Sequence, residues 1–416
     1  MIENFEINSK VIDKIKKITP EEKNFRIKNL NHFKSVGFPN KKLEDWKFSD
    51  FKKIVDNNFD KLNAEEVFSD IKKINLIKDF DHNYIILVNG NLHSSNFDHE
   101  NKSKINISPF YQSTDYQISK NPLVCLNHAL AKNGYTLEVE KNYKFKKILV
   151  IYNFFTKDIK NIILNNKNKI KLNENSELHI LEYTKNDSKF KFINNSYEDI
   201  VLEKNSKLKN LYMQNNKSDG YFHKYQKNKL FLNSEHSNLI FSSGLKFNKI
   251  DIECDLVEKD CKYNILSALF LNGDEHQEIK TCVNHLAPNC KSYQRVKKVL
   301  NSESKGIFQG KIYVKDIAQK TDAYQLSKAL LLNDNAEFNS KPELEIYADD
   351  VKCSHGSTSG NLDEDSIHYL MTRGLNREDS TRLLIKGFLN DVIDFIKNPS
   401  IKKFVEIKLE ETVNGY

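Results

Sequence analysis

Asn175-Ser176-Glu177-Leu178, Asn205-Ser206-Lys207-Leu208, His236-Ser237-Asn238-Leu239, Asp260-Cys261-Lys262-Tyr263, Asn289-Cys290-Lys291-Ser292 and Asn335-Ala336-Glu337-Phe338 repeat one short pattern. Most copies run polar turn residue, small residue, polar residue, apolar residue. The first five start 24 to 31 residues apart, inside the window of roughly 20–50 residues that marks solenoids and other repeat folds. A parallel β-helix accounts for the pattern. Each coil turns a corner on Asn, Asp or Gly, then stacks a small or apolar side chain on the coil beneath. A β-sandwich with evenly spaced hairpins gives a similar rhythm, but the repeat spacing favours the solenoid.

Outward from these copies, short apolar-alternating runs separated by Asn, Asp, Ser and Gly fill residues 141–362, the expected β-helix core. Residues 1–80 read as a helical domain. Pro20 with Glu21 and Glu22 suits a first helical turn. Phe25, Leu30 and Phe33 follow near helical spacing, and Gly37-Phe38-Pro39 is a stop. Glu44-Asp45-Trp46-Lys47 opens a further amphipathic stretch through Phe51 and Ile54, and helix is expected to about Lys78. Residues 81–140 are a mixed connecting segment, with an apolar strand from Tyr84 that ends on the Asn89-Gly90 turn signal. Residues 363–416 return to helix. Asp363-Glu364-Asp365 opens a helix carrying Ile367, Leu370 and Met371, which Gly374 caps. Asn376 caps the next, with Leu384, Phe388, Val392, Phe395 and Ile396 as its apolar face. Asn398-Pro399 ends that helix and Ser400 starts a last one.

Composition narrows the function. The chain has 416 residues and 39% hydrophobic content, with 26 Phe and 18 Tyr adding bulk to a core. Its net charge of +7 is the small difference between 64 basic and 57 acidic residues spread along the whole length. A nucleic-acid protein concentrates its basic residues on one face or run, so no nucleic-acid partner is expected. No stretch approaches the roughly 18 apolar residues of a membrane span, and the start Met1-Ile2-Glu3-Asn4 lacks an apolar secretory segment. Six cysteines, Cys125, Cys254, Cys261, Cys282, Cys290 and Cys353, form no CxxC pair, which suits a reducing cytoplasm.

Familiar catalytic motifs fail on inspection. Gly306-Ile307-Phe308-Gln309-Gly310-Lys311-Ile312 is one residue short of a phosphate-binding loop and lacks its Ser/Thr. Gly356-Ser357-Thr358-Ser359-Gly360 has Thr358 where a nucleophile elbow needs Ser. Cys353-Ser354-His355 remains, at the end of the alternating run Leu344 to Val351. In a strand, residues i and i+2 share a face, so Cys353 and His355 point the same way, toward one metal or cluster. Thiolate and imidazole suit iron and iron–sulfur species. Two ligands do not close a site, so a second chain has to supply the rest. Asp349 or Asp350 is the expected hydrogen-bonding support for the imidazole. On spacing alone, a packed Cys beside a His satisfied at a turn is the favoured reading, since a Cys-x-His pair by itself is a weak signal. The remaining cysteines, with His223, His236, His276 and His285, match no compact ligand spacing and read as fillers of solenoid coils.

Leu344-Glu345-Ile346-Tyr347-Ala348-Asp349-Asp350-Val351-Lys352-Cys353-Ser354-His355-Gly356 resembles the signature of the SufB/SufD family of iron–sulfur cluster assembly proteins. Tyr369-Leu370-Met371-Thr372-Arg373-Gly374, Phe308-Gln309-Gly310-Lys311-Ile312, and Ala318-Gln319-Lys320-Thr321-Asp322-Ala323 with Gln325 are similar to it as well. So are Pro122-Leu123 with Leu126-Asn127, and Gly37-Phe38-Pro39 with Glu44-Asp45-Trp46-Lys47. His368, Ser357 and Ser359 depart from the family's usual residues. The chain's length and its Cys-Ser-His-Gly form resemble the SufD branch.

The resemblance implies a right-handed parallel β-helix between helical ends, serving as a non-catalytic scaffold. It implies a heterodimer with a SufB-like subunit, recruitment of SufC-type ATPases through the C-terminal helices, and a homodimer for the isolated chain. By the same resemblance His355, with Cys353 beside it, holds a nascent iron–sulfur cluster shared with the partner, and the isolated chain binds none tightly. Two other readings are a SufB-like sulfur-accepting subunit and a β-helix carbohydrate-active enzyme. The latter needs convergent Asp, Arg or Lys on neighbouring coils, and no such cluster is evident in the sequence.

Overall fold

The computed structural model describes Phe5, residues 10–13, Ile15, and residues 18–64, 74–109 and 116–415. At the N-terminus lie α1 (Lys10–Asp13), α2 (Pro20–Val36) and α3 (Phe51–Asn58). Thr19 caps α2 by accepting from Glu22 N, Pro20 is its first residue, and Gly37 leaves it at a φ of 77°. The stretch expected to be one amphipathic helix from Glu44 splits. A single 3₁₀ turn at Glu44–Trp46 is followed by α3, which Asp50 caps anew. The helical expectation over residues 65–73 lies outside the described residues, and residues 74–78, also expected to be helical, are irregular.

Next come β1 (Asn83–Val88), β2 (Asn91–Asn96), β3 (Ile105–Ser108), α4 (Pro122–Leu130) and β4 (Thr136–Val139). The coils continue with β5 (Leu149–Phe155), β6 (Ile163–Leu172), β7 (Glu177–Asn186), β8 (Phe192–Leu202) and β9 (Lys207–Gln214). After them run β10 (Ser218–Leu230), β11 (Glu235–Ser242), β12 (Leu245–Leu256), β13 (Lys262–Leu271) and β14 (His276–His285). The last are β15 (Lys291–Leu300), β16 (Lys305–Val314), β17 (Thr321–Leu331), β18 (Glu337–Ile346) and β19 (Val351–Asn361). Three helices close the chain: α5 (Glu364–Thr372), α6 (Arg377–Ile393) and α7 (Pro399–Asn414).

The strands sort by parity. Odd-numbered strands from β19 down to β5, then β1 and β2, form one sheet; even-numbered strands from β18 down to β4, then β3, form the other. Each coil thus gives one strand to each sheet and pairs in parallel with the coils above and below, as in β11 with β9 and β13. This is the expected β-solenoid. Its parallel ladders begin with β1 on β5 and β4 on β6, so the mixed segment 81–140 supplies strands to both sheets.

The corner residues explain the repeat. Asn142, Asn175, Asn205, Asn233, Asp260 and Asn289 all sit at φ between 57° and 65°, save Asn233 at 52°, a left-handed conformation that Asn and Asp tolerate better than most residues. Asn175, Asn205 and Asn233 each donate through Nδ2 to the Oδ1 of the asparagine one coil below, at 2.8–2.9 Å. The small residues that follow, Ser176, Ser206, Ser234, Cys261 and Cys290, are all buried. The third copy is therefore Asn233-Ser234-Glu235-His236, three residues earlier than the pattern suggested, because His236 pairs in register with Leu208. The Asn335 copy belongs to the other sheet, where Glu337 pairs with Lys305.

Between the sheets, Ile170, Leu172, Ile200, Leu202, Leu230, Leu256 and Leu271 stack with Leu178, Leu208, Ile265 and Leu300. A fully buried aliphatic side chain contributes about 1.5–3 kcal/mol, so this column dominates the stability. The two outer faces are covered by helices from opposite ends of the chain. Trp46, Phe51, Leu123 and Leu126 pack on Ile163, Ile193, Tyr221 and Phe247 of the even sheet. Ile385, Leu389, Val392 and Ile393 of α6, with Ile401, Phe404 and Val405 of α7, pack on Leu211, Phe241, Leu266 and Ala268 of the odd sheet. The buried stripe of α6 is thus centred on Ile385 and Leu389, while Phe388 is half-buried. α6 ends at Ile393, and Asn398-Pro399 starts α7 as cap and first residue.

Candidate functional site

β18 and β19 end the two sheets, each hydrogen-bonded to a neighbour on one side only. The alternating run that leads to Cys353 is not one strand. β18 stops at Ile346, residues 347–350 turn a corner, and β19 begins at Val351. Cys353 and His355 still share a face of β19, and the register shows which. Cys353 caps a column that runs down through Ala323, Ser292, Tyr263, His236 and Leu208 to Leu178. His355 caps the next, through Gln325, Gln294, Ile265, Asn238 and Asn210 to Ile180. Lower members such as Tyr263, Ile265 and Gln325 are fully buried, so both columns face the solenoid interior. At the top coil that interior opens: Cys353 is half-buried and His355 exposed.

The two residues differ in surroundings. Cys353 packs with Leu344 and Val351 against Ile312, Val314 and Ala323, and loss of solvation there pushes its thiol above the usual range. His355 stands free of that cluster. Asp349 and Asp350, expected to support the imidazole, are held in the corner before β19. Val351 N donates to Asp349 O at 3.2 Å, Lys320 N to Asp350 O at 2.6 Å, and Asp350 N to Gln319 Oε1 at 2.9 Å. The residue in line beneath His355 is instead Gln325, which the strand spacing alone did not single out. Counting parity back from one corner to the next would have found it.

Among the described residues no three His, Cys, Asp or Glu side chains gather into a set able to close around a metal. The other candidates are structural. Cys254, Cys261 and Cys290 are buried in coils, and burial pushes the Cys125 thiol up to about 12 and that of Cys282 to about 11. Burial also holds His285 near 4 and His236 near 3, as neutral interior rings. His276 meets Ser49 at 2.8 Å, and His223 bridges Asn195 and Asp251. Gly306–Ile312 and Gly356–Gly360 are plain strand within β16 and β19. A cleft of about 530 Å³ lies over the outer face of the even sheet. Its floor alternates Lys169, Asp199, Lys227 and Glu253 from rung to rung, a cross-strand arrangement in which opposite charges neutralise one another.

Fold and site together define a solenoid scaffold that is closed by helices along its flanks and presents a Cys-x-His pair at an unfinished end. Residues 154–388, more than half of the chain, match the family model described as "SUF system FeS cluster assembly, SufBD core domain". The chain is 24% identical to the iron–sulfur cluster assembly protein SufD of Escherichia coli over 397 residues, covering 93% of this chain and 92% of that one. It is 31% identical over 215 residues to a SufBD family protein of Synechocystis, covering 51% and 47% of the two chains. With the chloroplastic protein ABCI7 of Arabidopsis thaliana it shares 29% over 231 residues, 55% and 49% of the chains. The chain belongs to the SufB/SufD family, as a SufD-type member, and its role is in iron–sulfur cluster assembly.

Proposed function

We propose that the chain is the non-catalytic SufD-type scaffold of a cytoplasmic SufB–SufC–SufD assembly, and that it helps hold a nascent cluster at its interface with a SufB-like subunit. One observation carries this reading: the two unpaired strand edges, β18 and β19, lie at the same end as Cys353 and His355. Unpaired edges are templates for another chain, and a partner solenoid laid against both would bury the Cys-x-His pair in the junction. His355 and Cys353 then supply part of a ligand set that the partner completes. The cluster is cargo, bound once both chains are present. Without a partner, the same edges suit a second copy of this chain.

The C-terminal helices divide their faces. α6 and α7 bury one side on the odd sheet, while Tyr369, Met371, Leu375 and Leu383 are exposed around the α5–α6 corner. That patch is the proposed seat of a SufC-type ATPase, whose phosphate chemistry this chain has no loop to perform. No helix among the described residues is long and apolar enough to cross a membrane, and the six free cysteines suit a reducing compartment. Mixing the purified chain with SufB-type and SufC-type proteins tests the reading. A stable ternary complex, with ATP hydrolysis only when the SufC-type protein is present, is expected. ATP turnover by this chain alone, abolished by mutating it, would overturn the scaffold role.

A further inference from the structure

We propose that the side-chain carbonyl of Gln325 holds the His355 imidazole by accepting its ring N–H, making Gln325 the positioning residue of the cluster-holding site. The inference rests on the reading above only in taking His355 as the ligand to be positioned.

Gln325 and His355 are direct register partners on adjacent parallel strands and point to the same inner face; strands so paired lie about 4.8 Å apart. Gln325 is completely buried, yet its Oε1 has no hydrogen-bond partner. Its Nε2 reaches across the interior toward Gly310 O at 3.5 Å and Glu343 O at 3.4 Å, on the opposite sheet. Gly310 is what lets it do so: a Cβ at that position would collide with Gln325 Oε1 and the Phe308 ring. The glycine in Phe308-Gln309-Gly310, which the reaction chemistry left unexplained, thus keeps space for a carbonyl oxygen rather than for a phosphate.

A buried acceptor without a donor is rarely left so in a native protein. Two donors bracket this one. One rung below, Gln294 pairs in register with Gln325. Its Oε1 accepts from Thr281 Oγ1 at 2.6 Å, while its Nε2 is buried and unpartnered. A carbonyl oxygen has two lone pairs, so Gln325 Oε1 can take the Gln294 N–H from below and the His355 ring N–H from above. Thr281, Gln294 and Gln325 then form an aligned chain of dipoles whose members strengthen one another. A metal-binding histidine commonly donates its second ring N–H to such a carbonyl, which fixes both tautomer and ring rotation. The nitrogen left without a proton is then free to face the junction.

The test uses the full-length chain with ¹⁵N-labelled histidine, alone in solution, with His355→Asn identifying the His355 signals among 12 histidines. At a pH where the ring is neutral, its two nitrogen shifts report the tautomer. A single dominant tautomer in the native chain is expected, and comparable populations of both would overturn the proposal without any variant. Gln325→Met keeps the volume and removes the acceptor, so it should return the ring to a mixture while the unfolding midpoint stays near wild type. If that variant fails to fold, Gly310→Ala displaces the carbonyl and should give the same mixture; a folded variant of either kind with the native tautomer ratio sinks the idea. In the assembled complex Gln325→Met should weaken iron retention about 10–100-fold. Failure of the cluster reading looks different, because His355→Ala would then reach wild-type cluster yield while the tautomer result still stood.

Discussion

The two ends of the solenoid are made of the same kind of coil and finished in opposite ways. At the N-terminal end the sheets stop on β2 and β3, strands of six and four residues that run antiparallel to their neighbours. The β1–β2 pairing slips register between Ile86 and Leu87, and β2 is polar, reading Asn-Leu-His-Ser-Ser-Asn. Short, polar, irregular edges are how natural sheets avoid joining others. At the C-terminal end, β18 and β19 are ten and eleven residues long, parallel to their neighbours and in unbroken register. The first end is blunted; the second leaves two long, regular strand edges unpaired, the edges proposed above to receive another chain.

That contrast predicts where mutations act. On the outer face of the even sheet, over β10 and β12, Trp46 is fully buried between Phe51, His223 and the Lys249 ammonium, which lies 4.8 Å from its ring. Trp46→Ala should cost about 3–5 kcal/mol of stability in a denaturant titration, through the packing of the helical cap on the even sheet. A loss under 1 kcal/mol would mean that the cap contributes little there. Leu389→Ala, on the flank, should cost about 2–5 kcal/mol by the same measure. Phe388→Ala should cost less, since that ring is half-buried over the Lys297 ammonium at 4.6 Å. If instead Phe388→Ala left stability untouched and released the ATPase, the ring would belong to the docking face.

Beneath the open end, β15 carries a buried lysine. Lys298 is fully buried with no hydrogen-bond partner, its ammonium position between the Phe308 and Phe338 rings, and burial holds it down to about 7. The unfolded chain keeps this proton up to the ordinary lysine range, so between pH 7 and pH 10 the unfolded state binds more protons. Stability from this residue therefore rises with pH, by up to about 1.4 kcal/mol per unit. Lys298→Met should stabilise the chain most near pH 7, and the gain should shrink as pH rises. A gain that is flat with pH would contradict the assignment.

Smallest in effect on the chain itself is a change at the open edge. Ser354→Lys with Thr358→Lys places charges on exposed positions of β19, where charged edges discourage pairing. The unfolding midpoint should not move, while the complex with a SufB-type protein should be lost. Retained assembly would place the interface elsewhere.

The sequence conveyed the solenoid because its corners are chemically marked: left-handed Asn and Asp residues followed by small buried ones recur at coil length. It conveyed the caps for the same local reason, with Pro20, Gly37, Gly374 and Asn376 at their expected positions. Register is a different matter. His236 and Asn233 both sit near a Ser, and only pairing across coils shows which one turns the corner. The run from Leu344 to Val351 keeps its alternation through a corner marked only by Asp349-Asp350, which do not take the left-handed conformation of corners such as Asn289, so a strand break was hidden. Cys353 and His355 were legible as a same-face pair, since that needs only a period of two. That they face inward at an open end, with Gln325 beneath, depends on stacking between residues some thirty positions apart, which no local pattern carries.

Holding the nascent cluster is the role proposed for His355 at the open end. Anaerobic reconstitution of the complete complex, followed by cluster absorbance, tests it most directly with His355→Ala against wild type. Replacing this exposed residue opens no large cavity, so fold and assembly should be intact and the cluster yield should fall sharply. Cys353→Ser should do less if its half-buried thiol only packs against Leu344 and Val351, and as much if it is a second ligand. A His355→Ala complex that forms cluster at the wild-type yield would rule His355 out as a ligand.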